Sequence, residues 1–217
     1  MSLFSVFDPV TLGGQFNWIS LVFPFMLVGG FYYYIKGGVN IVFVKMVLVM
    51  ESLFKELGGK SNGKIISFVV VGVMMYLIMS NVFGLFPFIF THTAHPSFTL
   101  GIGMALWLVC VIMGWFKNFS MSSSHLVPEG SPLMLSFLLV IIESISHIIR
   151  PFTLSIRLAA NMMAGHLIIG LVSGISYSNF FSSLVLQSML MVLESGVALV
   201  QGIVFSILLL LYTVEYY

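Results

Sequence analysis

A set of ionisable and amide side chains interrupts an otherwise apolar stretch in the last third of the chain, and these are the residues whose types could do chemistry. They are Glu143, His147, Arg150, Arg157, Asn161, His166, Gln187, Glu194 and Gln201. Because a charge near the centre of a bilayer costs about 2.5–3.5 kcal/mol on insertion scales, such residues usually face a protein interior or a water-filled cavity and mark a proton or ion path. The set therefore predicts proton or ion translocation, although Arg150, beside Pro151, is equally well explained as a helix-end charge that reaches the interface.

Helical periodicity places the first group of these side chains on two sides of one helix. At about 100° per residue, and ignoring any bend at Pro151, four of them fall within about 40° of one another. They are Glu143, Arg150, Arg157 and Asn161. His166 is nine positions after Arg157, which places it about 180° around the helix.

The next apolar segment carries a polar stripe of its own. Gln187, Glu194 and Gln201 repeat every seven residues, so they share one helix face. The two segments together predict one polar surface centred on Arg157 and another where His166 could approach Glu194. Two separate polar surfaces are what two separate aqueous routes would require.

The composition of the whole chain identifies the solvent around these helices. Of 217 residues, 59% are hydrophobic and 7% are charged, and the mean hydropathy is +1.13. An average soluble domain has about 25% charged residues. The composition excludes a soluble enzyme, a nucleic-acid-binding protein and a disordered chain, and it predicts an integral membrane protein.

Apolar runs give the layout, since a helix needs roughly 20 residues to cross about 30 Å of hydrocarbon. The predicted spans are residues 16–35, 65–86, 99–116, 133–171 and 179–212. Residues 39–57, bracketed by glycine pairs, mix four charged residues with apolar ones, which favours a helix lying in the membrane interface. The predicted fold is an all-α integral membrane protein with an N-terminal spanning helix, an interfacial amphipathic helix, two further spanning helices and a hairpin of two long helices.

The helices of the predicted hairpin are longer than an upright span requires. Their 39 and 34 residues would reach roughly 50–60 Å as helices, so they must tilt strongly, bend or run along the membrane. Pro151 is the expected bend point, because proline lacks an amide donor and crowds the preceding turn. A short polar connection at about residues 173–178 joins them. We expect a single membrane domain over residues 1–217, with parts at 1–64, 65–132 and 133–217.

The basic residues predict the orientation. Five of the eight lie between the first two spans: Lys36, Lys45, Lys55, Lys60 and Lys64. The positive-inside rule therefore places this segment inside, the N-terminus outside and, after five spans, the C-terminus inside.

Several ordered motifs resemble one known family. They are NVFGLFP at 81–87, VPEGSP at 127–132, IIESIS at 141–146, RLAANMMAGH at 157–166 and LESGVALVQGIVFSILLLLY at 193–212. Together they closely resemble subunit a of the F-type ATP synthase, the mitochondrial ATPase subunit 6. The resemblance implies a proton-translocating stator subunit whose two offset half-channels load and unload protons on rotor-ring carboxylates, coupling proton flow to rotation and ATP synthesis.

The resemblance also implies roles for residues on the first long helix. Arg157, in the RLxxN motif, matches the essential arginine that faces a carboxylate on each passing rotor subunit. Asn161 matches its polar neighbour one turn on. Glu143 matches the acidic residue usually placed in the half-channel to the inner side.

A second group of implied roles concerns the outer side. His166 matches a position on the proton route to the outer compartment, and Glu194 and Gln201 match its partners across the hairpin. The implied partners are a rotor ring of c subunits, peripheral-stalk and other stator subunits, protons, channel water and lipid. The implied location is the mitochondrial inner membrane, with the N-terminus facing the intermembrane space and the C-terminus the matrix; a bacterial plasma membrane is the weaker alternative.

Two other classes of function remain as alternatives. An autonomous proton or ion channel or secondary transporter would usually show internal repeats, and none is visible. A membrane enzyme would need a nucleophile with its base or a nucleotide-binding loop, and the sequence shows neither. We therefore expect no catalytic site and no cofactor, and we expect no nucleic-acid partner. The pair His92 and His95 has a spacing that a metal could use, but no third ligand is evident. Neither histidine nor His147 inherits a role from the resemblance.

Overall fold

The computed structural model describes residues 7–10, 14–31, 45, 48–49, 51–53, 55–56, 63–86, 89–117, 133–175 and 180–216, which are nearly all helical. A 3-10 helix (Phe16–Leu21) continues into α1 (Val22–Phe31). The further elements are α2 (Gly63–Gly84), a single 3-10 turn (His92–Ala94), α3 (Pro96–Lys117), α4 (Leu133–Ile175) and α5 (Phe180–Tyr216).

The apolar helices agree with a membrane protein. Among the described residues, three helical stretches are long and apolar enough to cross a membrane: Pro96–Phe116, Ser136–Gly174 and Phe180–Thr213. The 22-residue α2 lies where the second span was expected. Of the predicted all-α integral membrane protein, the nearly all-helical content and three long apolar helices are confirmed. The arrangement of the predicted helices and their tilt stay predictions.

Two boundaries differ from the sequence-based expectation. The first predicted span begins as a 3-10 helix, in which the Trp18 amide donates to the Gln15 carbonyl at 3.4 Å; its last residues, 32–35, lie outside the described part. α4 runs on to Ile175, beyond the expected start of the connection at residue 173. In this last turn the Ser173 hydroxyl donates to the Gly170 carbonyl at 2.8 Å, so a polar side chain expected in the connection is satisfied within the helix.

The segment predicted to lie in the interface is described at eight positions, and all of them are helical. They are Lys45, Leu48, Val49, Glu51, Ser52, Leu53, Lys55 and Glu56. Lys55 Nζ lies 2.7 Å from Glu51 Oε1, one turn away. This pair stabilises a helix by only a few tenths of a kcal/mol, about 0.2–0.5.

The main core lies between α2, α4 and α5. Its buried residues are Val70, Val71, Met74, Met75, Leu77, Ile78, Leu154, Leu158, Phe205, Leu209 and Leu210. α2 and α5 approach closely at Gly202, where an added Cβ would lie 2.5 Å from Ile78 Cγ1 and 3.3 Å from the Ile78 backbone nitrogen. Buried Asn81 adds a polar link, because its Nδ2 donates to the Ala198 carbonyl at 3.3 Å. α4 and α5 thus both pack against α2.

Candidate proton-translocation site

Arg157 lies on the outer surface of α4. Its neighbours Leu158 and Ala159 are buried in the bundle, whereas Ile156 and Arg157 are exposed. Within the described part of the chain, its guanidinium forms no salt bridge to a carboxylate. A permanent cation therefore stands on an apolar helix face that points away from the rest of the bundle.

Asn161 and Gln201 occupy intermediate positions. Asn161, one turn after Arg157, is half-buried, and Gln201 on α5 is half-buried as well. Both side chains can donate and accept hydrogen bonds without holding an exchangeable charge. They lie at the margin between the exposed surface of the hairpin and its interior.

Glu194 is enclosed where α5 crosses α4. The residue is only 7% exposed, and both carboxylate oxygens are buried with no hydrogen-bond partner in the described part of the chain. The carboxylate fits there because α4 presents Gly165: a Cβ added at Gly165 would contact Glu194 Oε1 and lie 2.5 Å from Cδ. The AG pair of the RLAANMMAGH motif thus makes room for the acid on the other helix.

His166 lies beside this crossing. Its Nε2 is buried and has no hydrogen-bond partner among the described residues, and its ring packs edge-on against Phe7 with centroids 6.4 Å apart. No hydrogen bond joins His166 to Glu194, since Nε2 and both carboxylate oxygens are unpartnered. The structure therefore brings both residues to one helix crossing and separates them from the exposed Arg157.

A second group of charges lies two to four turns before Arg157 on α4. Glu143 Oε1 is 3.4 Å from His147 Nε2 and 3.8 Å from an amino nitrogen of Arg150. Sequence reasoning assigned no role to His147, yet its i,i+4 spacing from Glu143 was a usable signal. Because Arg150 contacts the same carboxylate, it is part of this group and does not point alone toward the interface.

The segment between α2 and α3 is buried, although it only connects two helices. The sequence assigns no role to His92 or His95, but Thr91, His92, Thr93 and Ala94 are all buried. Burial, with a smaller contribution from nearby His95, lowers the pKa of His92 from 6.5 to about 4. Only long-range packing reveals this burial, because the local sequence has the polar, proline-flanked character of a surface loop.

Comparison with known proteins assigns the chain to a family. The model of the ATP synthase A chain family matches residues 16–214. The chain belongs to the ATP synthase subunit a family. It is 37% identical to ATP synthase subunit a of Locusta migratoria over 100% of this chain and 99% of the relative. For the proteins of the same name from Drosophila melanogaster and Anopheles gambiae the identities are 38% and 40%, over 99% of this chain and 98% of each relative.

Family membership confirms the coarser functional expectation. The chain is a membrane-sector, proton-translocating subunit of an ATP synthase, and it therefore works in a complex with other ATP synthase subunits. The animal sources of its relatives agree with the expected part in mitochondrial ATP synthesis. Membership favours this function over an autonomous channel or transporter. The roles of single residues, the rotor contact and the orientation stay predictions.

Proposed function

We propose that this chain is the stator subunit that exchanges protons with the carboxylates of a rotating c ring through two offset half-channels. The observation that carries the proposal is the position of Arg157. It stands exposed on an apolar face of α4 and pairs with no carboxylate within the described residues. A cation in hydrocarbon is costly, so a carboxylate on a neighbouring protein is the partner that this position needs.

The chemistry at Arg157 requires an arginine. A rotor carboxylate must be neutral to travel through lipid, because low dielectric penalises its charged form. Beside Arg157 the charged form is favoured and the carboxyl group loses its proton. The guanidinium stays protonated, with a pKa above about 12, so it cannot pass the proton on. Arg157 thus attracts the carboxylate and blocks a direct leak between the half-channels.

The two half-channels use side chains on opposite sides of Arg157. The outer route contains His166 and Glu194, which can exchange protons, together with Gln201. The inner route contains Glu143. Asn161 lies one turn after Arg157, as its polar neighbour. One proton that crosses 100 mV gains about 2.3 kcal/mol, which is comparable to the cost of one charge at the membrane midplane on the insertion scale.

The wider arrangement follows from the same proposal. The chain forms a single domain in the mitochondrial inner membrane, with the N-terminus facing the intermembrane space and the C-terminus the matrix. Residues 39–57 lie in the matrix-side interface. α4 and α5 tilt strongly, and α4 bends near Pro151. The exposed side of α4 faces the ring, and other surfaces contact peripheral-stalk and further stator subunits. ATP chemistry belongs to partner subunits.

Substitution of Arg157 tests this function. In the assembled complex we expect Arg157→Ala to abolish proton-coupled ATP synthesis. We expect Arg157→Lys to permit a proton leak, because an amine enclosed between lipid and the rotor can lose its proton. Since Arg157 is exposed, its loss is expected to change the stability of the subunit by less than about 0.5 kcal/mol. Synthesis driven by a proton gradient and passive proton flux are measured in the same vesicles.

Thr153→Ala is the matched control, because Thr153 lies one turn earlier on the same exposed face. This variant is expected to keep normal coupling. Normal coupled synthesis in Arg157→Ala would refute the assigned role.

A further inference from the structure

The polar segment Thr91–His95 is enclosed by the bundle. Thr91 is 3% exposed, His92 2% and Thr93 0%. The segment contacts α2, α3, α4 and the N-terminal 3-10 helix. Aromatic rings surround its histidines: Phe98 packs edge-on against His92 at 5.0 Å, while Trp18 and Phe90 lie 5.4 and 5.1 Å from His95.

Several polar atoms in this enclosed segment have no hydrogen-bond partner among the residues that the structure describes. They are Thr91 Oγ1, His92 Nδ1 and Nε2, Thr93 Oγ1, His95 Nε2 and, on the adjacent α2, Asn81 Oδ1. Buried polar atoms are nearly always paired with protein groups or with internal water. A cluster that offers both donors and acceptors is therefore a site suited to a short chain of water molecules.

This cluster adjoins the crossing that holds His166 and Glu194. Ala94 packs in one buried group with Met162 on α4 and Ala198 on α5. His166 is four residues after Met162, and Glu194 is four residues before Ala198, so each lies one helical turn away. The link to Asn81 is direct, because its amide donates to the Ala198 carbonyl.

We propose that the segment Thr91–His95 is the hydrated entrance of the outer half-channel, with His92 as a proton-relaying residue on the way to Glu194. This inference rests on the proposed function, and it assigns a task to a loop outside the hairpin. A neutral imidazole accepts a proton from water at one ring nitrogen and releases one from the other. The imidazole then returns to its first tautomer, so the relay is ready for the next proton and no net charge remains in the loop.

The electrostatics of His92 suit a relay that does not store protons. Within the described ranges, the titratable groups found near its ring are His95, on the same segment, and Tyr76 on α2, whose ring lies 6.5 Å away. Burial keeps the pKa of His92 at about 4, so the imidazole is neutral at the pH of either compartment.

Accessibility of Thr93 to water-soluble reagents is the first test. Thr93→Cys is made in a Cys110→Ala background, since Cys110 is the chain's own cysteine, and the intact complex in vesicles is treated with silver ion or a small methanethiosulfonate from the outer side. Met74→Cys is the matched control, because Met74 is equally buried but lies in the apolar core. We expect Thr93→Cys to react and proton flux to fall, whereas Met74→Cys stays unreactive. Equal inertness of the two cysteines would overturn the proposal.

Replacement of His92 tests the relay itself. A positioned proton-transfer group contributes about 100-fold or more to a rate, so we expect His92→Leu to lower passive proton flux at least about tenfold. His92→Gln keeps hydrogen-bonding groups and is expected to retain more flux than His92→Leu. Ser97→Ala, at an exposed position two residues beyond His95, serves as the control with native flux.

The outcomes separate this inference from the function on which it rests. If Arg157→Ala abolishes coupling while His92→Leu conducts normally, the proposed function stands and the entrance is wrong. If Arg157→Ala stays coupled, the proposed function itself fails. Should His92→Leu prevent assembly, the reactivity of Thr93→Cys decides.

Discussion

The replacement Gly165→Ala is a direct test of the crossing between α4 and α5. A methyl group at this position would contact the Glu194 carboxylate, with Cδ at 2.5 Å and Cγ at 3.1 Å. Ordinary van der Waals contact begins at 3.4 Å, so the carboxyl carbon must move by about 0.9 Å, the difference between 3.4 and 2.5 Å. Because Glu194 is only 7% exposed, there is little room for this movement.

Two effects of different size are expected. Inserting a methyl group into a packed site costs about 1–3 kcal/mol, and the flexible end of Glu194 places the cost at the lower end of this range. Steps that depend on position lose up to about 100-fold for a displacement near 1 Å. We therefore expect proton flux through the complex to fall much more than the yield of assembled complex.

The assay compares flux and assembly in vesicles that contain equal amounts of complex. Gly196→Ala is the matched control, because Gly196 lies two residues from Glu194 and an added Cβ there meets nothing within 4 Å. As an exposed helical glycine, it is expected to gain about 0.5–1 kcal/mol from the change. Glu194→Leu alone is expected to slow flux without preventing assembly, and Gly165→Ala should then add little to it.

Native flux in Gly165→Ala would refute the reasoning, since it would mean that the carboxylate either does not occupy this site or does not conduct protons. A simple sum of the effects of Gly165→Ala and Glu194→Leu would equally contradict a direct contact between the two residues.

Two further predictions concern stability. Gly202→Ala is expected to lower the free energy of unfolding of the subunit by about 1–3 kcal/mol, because the added methyl meets the Ile78 side chain and backbone nitrogen. Gly101→Ala is the control: its methyl group lies in open space, so it should not lower the thermal dissociation temperature of the complex. Folding lowers the pKa of His92 from 6.5 to about 4, so the unfolded chain takes up a proton more readily than the folded one. The free energy of unfolding should therefore fall by about 3 kcal/mol as the pH drops from 6.5 to about 4. His92→Gln should remove this part of the pH dependence, and parallel stability curves for the native and variant complexes would contradict it.

The sequence predicted most of the helices and the division of the polar residues within the hairpin. Helical periodicity alone places Arg157 and His166 on opposite sides of one helix, and the structure leaves Arg157 exposed while it buries the Nε2 of His166. The i,i+4 pair of Glu143 and His147 was also within reach of sequence reasoning, since such contacts depend only on one helix.

Other features depend on residues far apart in the chain. Thr91–His95 has the composition of a surface loop, and nothing in its own sequence indicates that Met162 and Ala198 will enclose it. The sequence predicts that Glu194 could approach His166, but its place opposite Gly165 depends on the relative positions of two helices.

The sequence by itself determined the solvent, the helices and the family, because scarcity of charge, apolar length and ordered motifs are properties of the chain alone. Only the tertiary structure decided which polar groups are enclosed: the carboxylate of Glu194, the ring nitrogen of His166 and the imidazole of His92. The physical reason is that burial depends on contacts between separate helices. The space left by the absent side chain of Gly165 can hold only the residue that the fold brings opposite it, which is Glu194.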